Sequence, residues 1–298
     1  MHGSGHSSAD RVTAGGHFAR HIDELFASPD YRPPRLPTVA MQILELSRRP
    51  EVTVAEIVTL LESDPLIAGR TLRIVRSPIY AGRSSIRSLR QAVIRLGLNT
   101  MRDIVLEDAM NMRVFRSEPH SAWMEQVRRH SVLTGHCARH VAKTTQACGE
   151  YAFLCGLLHD IGMAAILIAA AEHPESASHD DILRAMGSRH ARISGELARL
   201  WQMPSEITRV VKTHHTPPRR GDAAFVETVS VVCLAEELAN QAGVPALPVP
   251  GAGIDQSEEA ALDTARDHLG ITSEMWSGMV QSAEQLRDQA GFGVANAA

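Results

Sequence analysis

The 298 residues carry a formal net charge of −4, with 44% hydrophobic and only 4% aromatic residues. That is enough chain for one large or two modest domains around an aliphatic core, and the charge gives no global signal for nucleic acid. No apolar run reaches the ~20 residues of a membrane helix, and the N-terminal stretch lacks the apolar segment of a signal peptide. Cys137, Cys148, Cys155 and Cys233 have no CxxC spacing, which speaks against a zinc knuckle or a disulfide framework and for a reducing, cytoplasmic setting.

Residues 1–16 read as a flexible tail. Pro37 stands at a first helical position ahead of Val39, Ile43 and Leu46. Thr53-x-x-Glu56 is a capping box, Asp64-Pro65 caps the next helix, and Ser88-x-x-Gln91 starts one that stops at Gly97. Pro204 opens a later helix, and no run of alternating β-branched residues marks a strand. The chain therefore reads as all-α, in two lobes: a first helical lobe over residues 17–115 and a second over 120–242. A Pro- and Gly-rich link then leads to two closing helices within 257–291.

Successive helical residues turn by about 100°, so i, i+3, i+4 and i+7 share a face. On the helix from Trp123 to Val141, His130 falls in the stripe of Trp123, Val127, Thr134 and Val141, and His136 and His140 turn away. His190 opens the stripe of Ile193, Leu197, Leu200 and Trp201. His214 completes that of Ile207, Val210 and Val211, with His215 about 100° off the line. Glu236 completes that of Val229, Val232 and Cys233, and Glu237 turns away. His159 and Asp160 end the apolar run of "LCGLLHDIGM". Buried imidazoles and carboxylates need a partner. A mixed set of this kind suits divalent zinc, iron, manganese or nickel, one ion or two, or else forms a self-satisfied polar network.

The order His, His-Asp, later His residues and a final acid resembles the HD superfamily of metal-dependent phosphohydrolases. More narrowly, the chain resembles its HDOD branch. The resemblance runs from about Leu36 to Asn240, through "LPTVAMQILELSRRPEVTVAEIVTLLESDPLIAGRTLRIVRSPIY", "SIRSLRQAVIRLG", "CGLLHDIG", "HARISGELARLWQMPSEI" and the pair His214-His215. It implies that His130, His159, Asp160 and the late acid Glu236 hold one metal, and His190, His214 and His215 a second. In catalytic relatives, water activated at such a centre attacks a phosphoester. Three departures stand out. Met163 follows "HDIG" where related HD-GYP phosphodiesterases have a lysine. "TPPRRGD" replaces their acid and GYP signature. Glu236 stands where aspartate is usual.

HDOD proteins are regarded as non-catalytic or unassigned bacterial signalling modules that act through protein contacts. The first expectation is thus a regulatory module with a signalling protein as partner, neither nucleic acid nor membrane. The alternative is a phosphohydrolase acting on a nucleotide or cyclic dinucleotide, with Lys143, Lys212 or Arg219 near the phosphates. Arg70, Arg73, Arg76, Arg83, Arg87, Arg90, Arg95 and Arg102 crowd the first lobe. They read as a solvated face or, at Arg87 and Arg90, as a contact for an acidic partner.

Overall fold

The computed structural model describes residues 8–80, 82, 86–172, 177–248 and 256–292. Among these residues there is no strand, and the chain is all-α. The first helix, α1 (Ser8–Ala27), begins inside the stretch whose composition reads as tail; residues 1–7 lie outside the described residues. Three short helices follow, α2 (Thr38–Leu46), α3 (Val54–Glu62) and α4 (Pro65–Ile74). Thr53 and Glu56 form the full capping box of α3, and the Asp64 carboxylate accepts from the Leu66 and Ile67 amides at the start of α4. Pro37 and Pro204 are N-caps, one position ahead of the first helical residue.

A long helix, α5 (Leu89–Arg113), starts at Ser88 and does not stop at Gly97. Gly97 takes φ 79° and ψ 168°, a conformation that breaks the helical path, and the helix then resumes. Its second half is buried from Met101 to Met110. The arginine run is accordingly not one solvated face. Arg102 is fully buried, donating to Asp103 and to the Glu150 carbonyl. Arg70 pairs with buried Asp108, and Arg76 donates to the Ile86 and Arg87 carbonyls. Arg87 and Arg90 are exposed, and Arg83 lies outside the described residues.

The remaining helices are α6 (Ser121–Thr145), α7 (Ala152–Leu158), α8 (Ile161–Glu172), α9 (His179–Leu200), α10 (Ser205–Thr213), α11 (Ala223–Gln241), α12 (Gln256–Leu269) and α13 (Ser273–Gln289). Helix α6 packs on both α7 and α11, and α9 on both α8 and α10. Because α6 is enclosed on more than one side, His136 is buried against Phe153 and Tyr80, although it turns away from the apolar stripe. Helix α1 crosses to α9, where Asp23 pairs with Arg189 and Arg192. Buried residues of α1 to α11 and α13 form one main core, and Ala265 of α12 packs with Cys233 and Leu234 of α11 in a smaller second cluster.

One sequence expectation fails on length. Ala152–Glu172 is 21 residues long and apolar enough to span a bilayer by composition. It is instead two helices, α7 and α8, broken at His159-Asp160, and almost all of it is buried in the protein.

Candidate metal centre

Two glycines place the break between α7 and α8. A Cβ at Gly156 would stand 2.7 Å from the Thr134 carbonyl, so α7 lies directly on the α6 backbone. A Cβ at Gly162 would overlap the His190 carbonyl, and the Gly162 amide donates to Ser194 at 2.9 Å. Glycine at both positions brings His159 and Asp160 to where α6, α9, α10 and α11 converge.

Asp160 is the hub. One of its oxygens faces His159 Nε2 at 3.3 Å and His130 Nε2 at 3.9 Å. The other faces His190 Nε2 at 3.3 Å and His214 Nε2 at 3.6 Å. His215 joins through Nε2, 2.7 Å from His190 Nε2, and its Nδ1 lies 3.5 Å from Glu236. Helix α10 ends at Thr213, so the 100° turn that would direct His215 away no longer holds.

The ring orientations share one device. Nδ1 donates to a backbone carbonyl in His130 (Val244, 2.8 Å), His159 (Gly156, 2.8 Å), His190 (Met186, 2.7 Å) and His214 (Val211, 2.8 Å). With the Nδ1 proton committed, each Nε2 presents its lone pair inward in the neutral form. The sequence gives no sign of these anchors, because they are backbone carbonyls.

Burial pulls His130 and His214 down to about 4 and drives His215 down as well. Burial acts the same way on His159, but the Asp160 carboxylate reverses it and lifts this group to about 9. Burial would raise Asp160; the His159 and His190 charges instead hold it well below the usual carboxylate range. Burial also pushes Glu236 up to about 8, with His159 opposing.

The donor set of the cluster could hold a cation. His159 Nε2 and both Asp160 oxygens are buried without a hydrogen-bond partner, and a buried polar atom left so is costly. The ligand atoms of His130, His159, Asp160 and Glu236 lie within 4.8 Å of one another, as do those of Asp160, His190, His214 and His215. Donors ~2.1 Å from an ion stand up to ~4.2 Å apart, so both groups need only a small contraction. Imidazole and carboxylate together suit a transition metal. All seven residues singled out as ligands therefore meet in one place, as two groups sharing Asp160.

The basic candidates are elsewhere. Lys143 and Arg219 are exposed, and the Lys212 stem lies along Gly195 between α9 and α10. Met163 is buried. The centre meets solvent at a cleft of about 340 Å³ between α11 and α12, lined by His215, Glu236, Glu237 and Glu258 and, among the described residues, by no lysine or arginine.

Comparison with known proteins identifies the fold and the family. The chain is 26% identical over 202 residues to an uncharacterized protein of Treponema pallidum (strain Nichols), a match covering 62% of this chain and 38% of that relative. The chain thus spans well under half of that protein's length. Its fold is that of a proposed metal-dependent phosphohydrolase from Shewanella amazonensis SB2B, with a TM-score of 0.67, 20% identity, and 92% and 99% of the two chains covered. It is likewise that of an HDOD domain protein of unknown function from Geobacter sulfurreducens, at TM-score 0.63, 19% identity, and 95% and 99% covered. A proposed signal transduction protein from Marinobacter aquaeolei VT8 matches at TM-score 0.64 and 19% identity, with 95% of this chain and 66% of that one covered. The HDOD domain model itself matches residues 34–217, and the chain belongs to the HDOD family.

Proposed function

We propose that this protein is a non-catalytic signalling module. It holds one or two divalent transition metal ions as internal pins and acts through contacts with a protein partner. The observation that carries this reading is the lining of the opening at the metal centre. Phosphoryl chemistry relies on cations clamped around the phosphate, and no arginine or lysine lines that cleft among the described residues. Bound there, a metal would satisfy Asp160 and His159 and tie α6, α9, α10 and α11 together. The likeness to signalling and phosphohydrolase folds is compatible with this role and does not by itself choose between them. The partner-facing surface we assign to exposed Arg87 and Arg90, beside Ile94, which is 64% exposed.

The test is metal content by mass spectrometry on protein purified without chelator, with His159→Ala beside it. Bound transition metal in the native protein, lost in the variant, with no turnover of nucleotides or cyclic dinucleotides, supports the reading. The complete ligand set favours the phosphohydrolase as second reading. Turnover that disappears in Asp160→Ala would establish that alternative. Charge reversal at Arg87 and Arg90 should weaken capture of the signalling partner at least tenfold; unchanged capture removes that surface from the proposal.

A further inference from the structure

The seven residues of the centre are unequally exposed. The side chains of His130, His159, Asp160, His190 and His214 are no more than 5% exposed. His215 is 41% and Glu236 18% exposed. The centre therefore meets solvent on the side of His215 and Glu236, and both of those line the cleft between α11 and α12. Glu237, Asn240 and Gln241 continue the α11 wall, and Glu258 faces them from α12. Glu237 accepts from the Gln241 amide at 2.6 Å, a neutral donor that leaves its charge in place. Deeper in, the unpartnered oxygens of Asp160 wait on the same centre.

A cleft lined by charges of one sign concentrates counter-ions and repels co-ions. Among the described lining residues the acidic side chains are Glu236, Glu237 and Glu258, with no lysine or arginine among them, and the walls include the apolar side chains of Ala261 and Leu262. We infer that this cleft is the port through which metal ions reach the buried centre, with Glu237 and Glu258 selecting cations and rejecting phosphoanions. Neither glutamate belongs to either group of converging ligand atoms. Their role is to steer the ion, and His215 and Glu236 are the first ligands it meets. The inference rests on the reading of the cluster as a metal centre and adds the chemical class that the opening admits.

The experiment follows cobalt(II) entering metal-free full-length protein, read by its visible absorption as ligands replace water. At low ionic strength the Glu237→Gln/Glu258→Gln double variant should load more slowly by roughly tenfold or more, and salt should close the gap. The final equivalents bound should match the native protein, and inorganic phosphate should not compete for entry. Loading at an unchanged rate at low salt overturns the port and leaves the centre standing. A loss of final equivalents also overturns it, because the glutamates would then be ligands. Native protein that takes up no cobalt overturns the metal reading, and the port with it.

Discussion

At the scale of single residues, the most consequential charge outside the centre is Glu107. It is buried on α5 with Oε2 unpartnered, and burial pushes it up to about 7, against the pull of Arg139. The sign of its effect follows from proton binding. Below about pH 4.5 the carboxyl is protonated both folded and unfolded, and it costs nothing. Between there and pH 7 the folded chain keeps the proton that the unfolded chain releases, so stability falls as pH rises. Glu107→Gln should remove this fall, which amounts to about 3 kcal/mol at most, as measured by urea midpoints at pH 4.5 and 7.5. A native curve with no such decline would show that Arg139 neutralises the group.

The residues legible in the sequence are those whose placement follows from helical periodicity. His130, His190, His214 and Glu236 each complete an apolar stripe, and each arrives at the centre. Periodicity turns His215 away, and the family resemblance alone includes it; α10 ends at Thr213, and the His215 ring reaches His190. His136 and Arg102 defied the pattern for another reason. A helix enclosed on several sides has no solvent face, and the sequence does not say how many neighbours a helix will have. Arg102 is accommodated by Asp103 and a carbonyl 48 positions away.

At the scale of elements, the starts of helices were readable because capping chemistry is local. Thr53, Asp64 and Ser88 all accept from an amide in the first turn. The paths between starts were less readable: Gly97 breaks α5 without ending it. The tightest dependence on sequence is the approach of α8 to α9 at Gly162. Gly162→Ala places a methyl into the His190 carbonyl, which is backbone and cannot rotate aside. The helices must separate, carrying His190 away from Asp160. We expect a loss of about 2–3 kcal/mol and a drop in metal content, against little change for Gly278→Ala, where a methyl meets nothing within 4 Å. Thermal melting with metal analysis on both variants checks this, and retained metal in Gly162→Ala would show that the helix pair gives way without disturbing the centre.

At the scale of the molecule, the helices before α6 are joined to those after it through a buried ionic junction. Asp103 on α5 accepts from Arg102 and from Arg139 on α6, and Arg102 reaches the Glu150 carbonyl before α7. Tyr151 and Phe153 stack on these two guanidiniums, Tyr151 on Arg102 and Phe153 on Arg139. Removing the acid leaves a fully buried guanidinium without its counter-charge. Asp103→Ala should therefore cost about 3–5 kcal/mol, read as a lower urea midpoint at unchanged slope. A changed slope would mean that the two halves then unfold separately.

The anchoring of His130 by the Val244 carbonyl bears on what counts as the smallest working piece of this protein. The family match ends at residue 217, but a fragment cut there forfeits Glu236 and the carbonyl that orients the first histidine. It also loses the strap made by Gln126 on Ala246 and by Arg287 on Ala242. The motif and the device have different lengths. Transplanting the family segment alone would carry the signature His-Asp pair into a new context with half of its setting left behind.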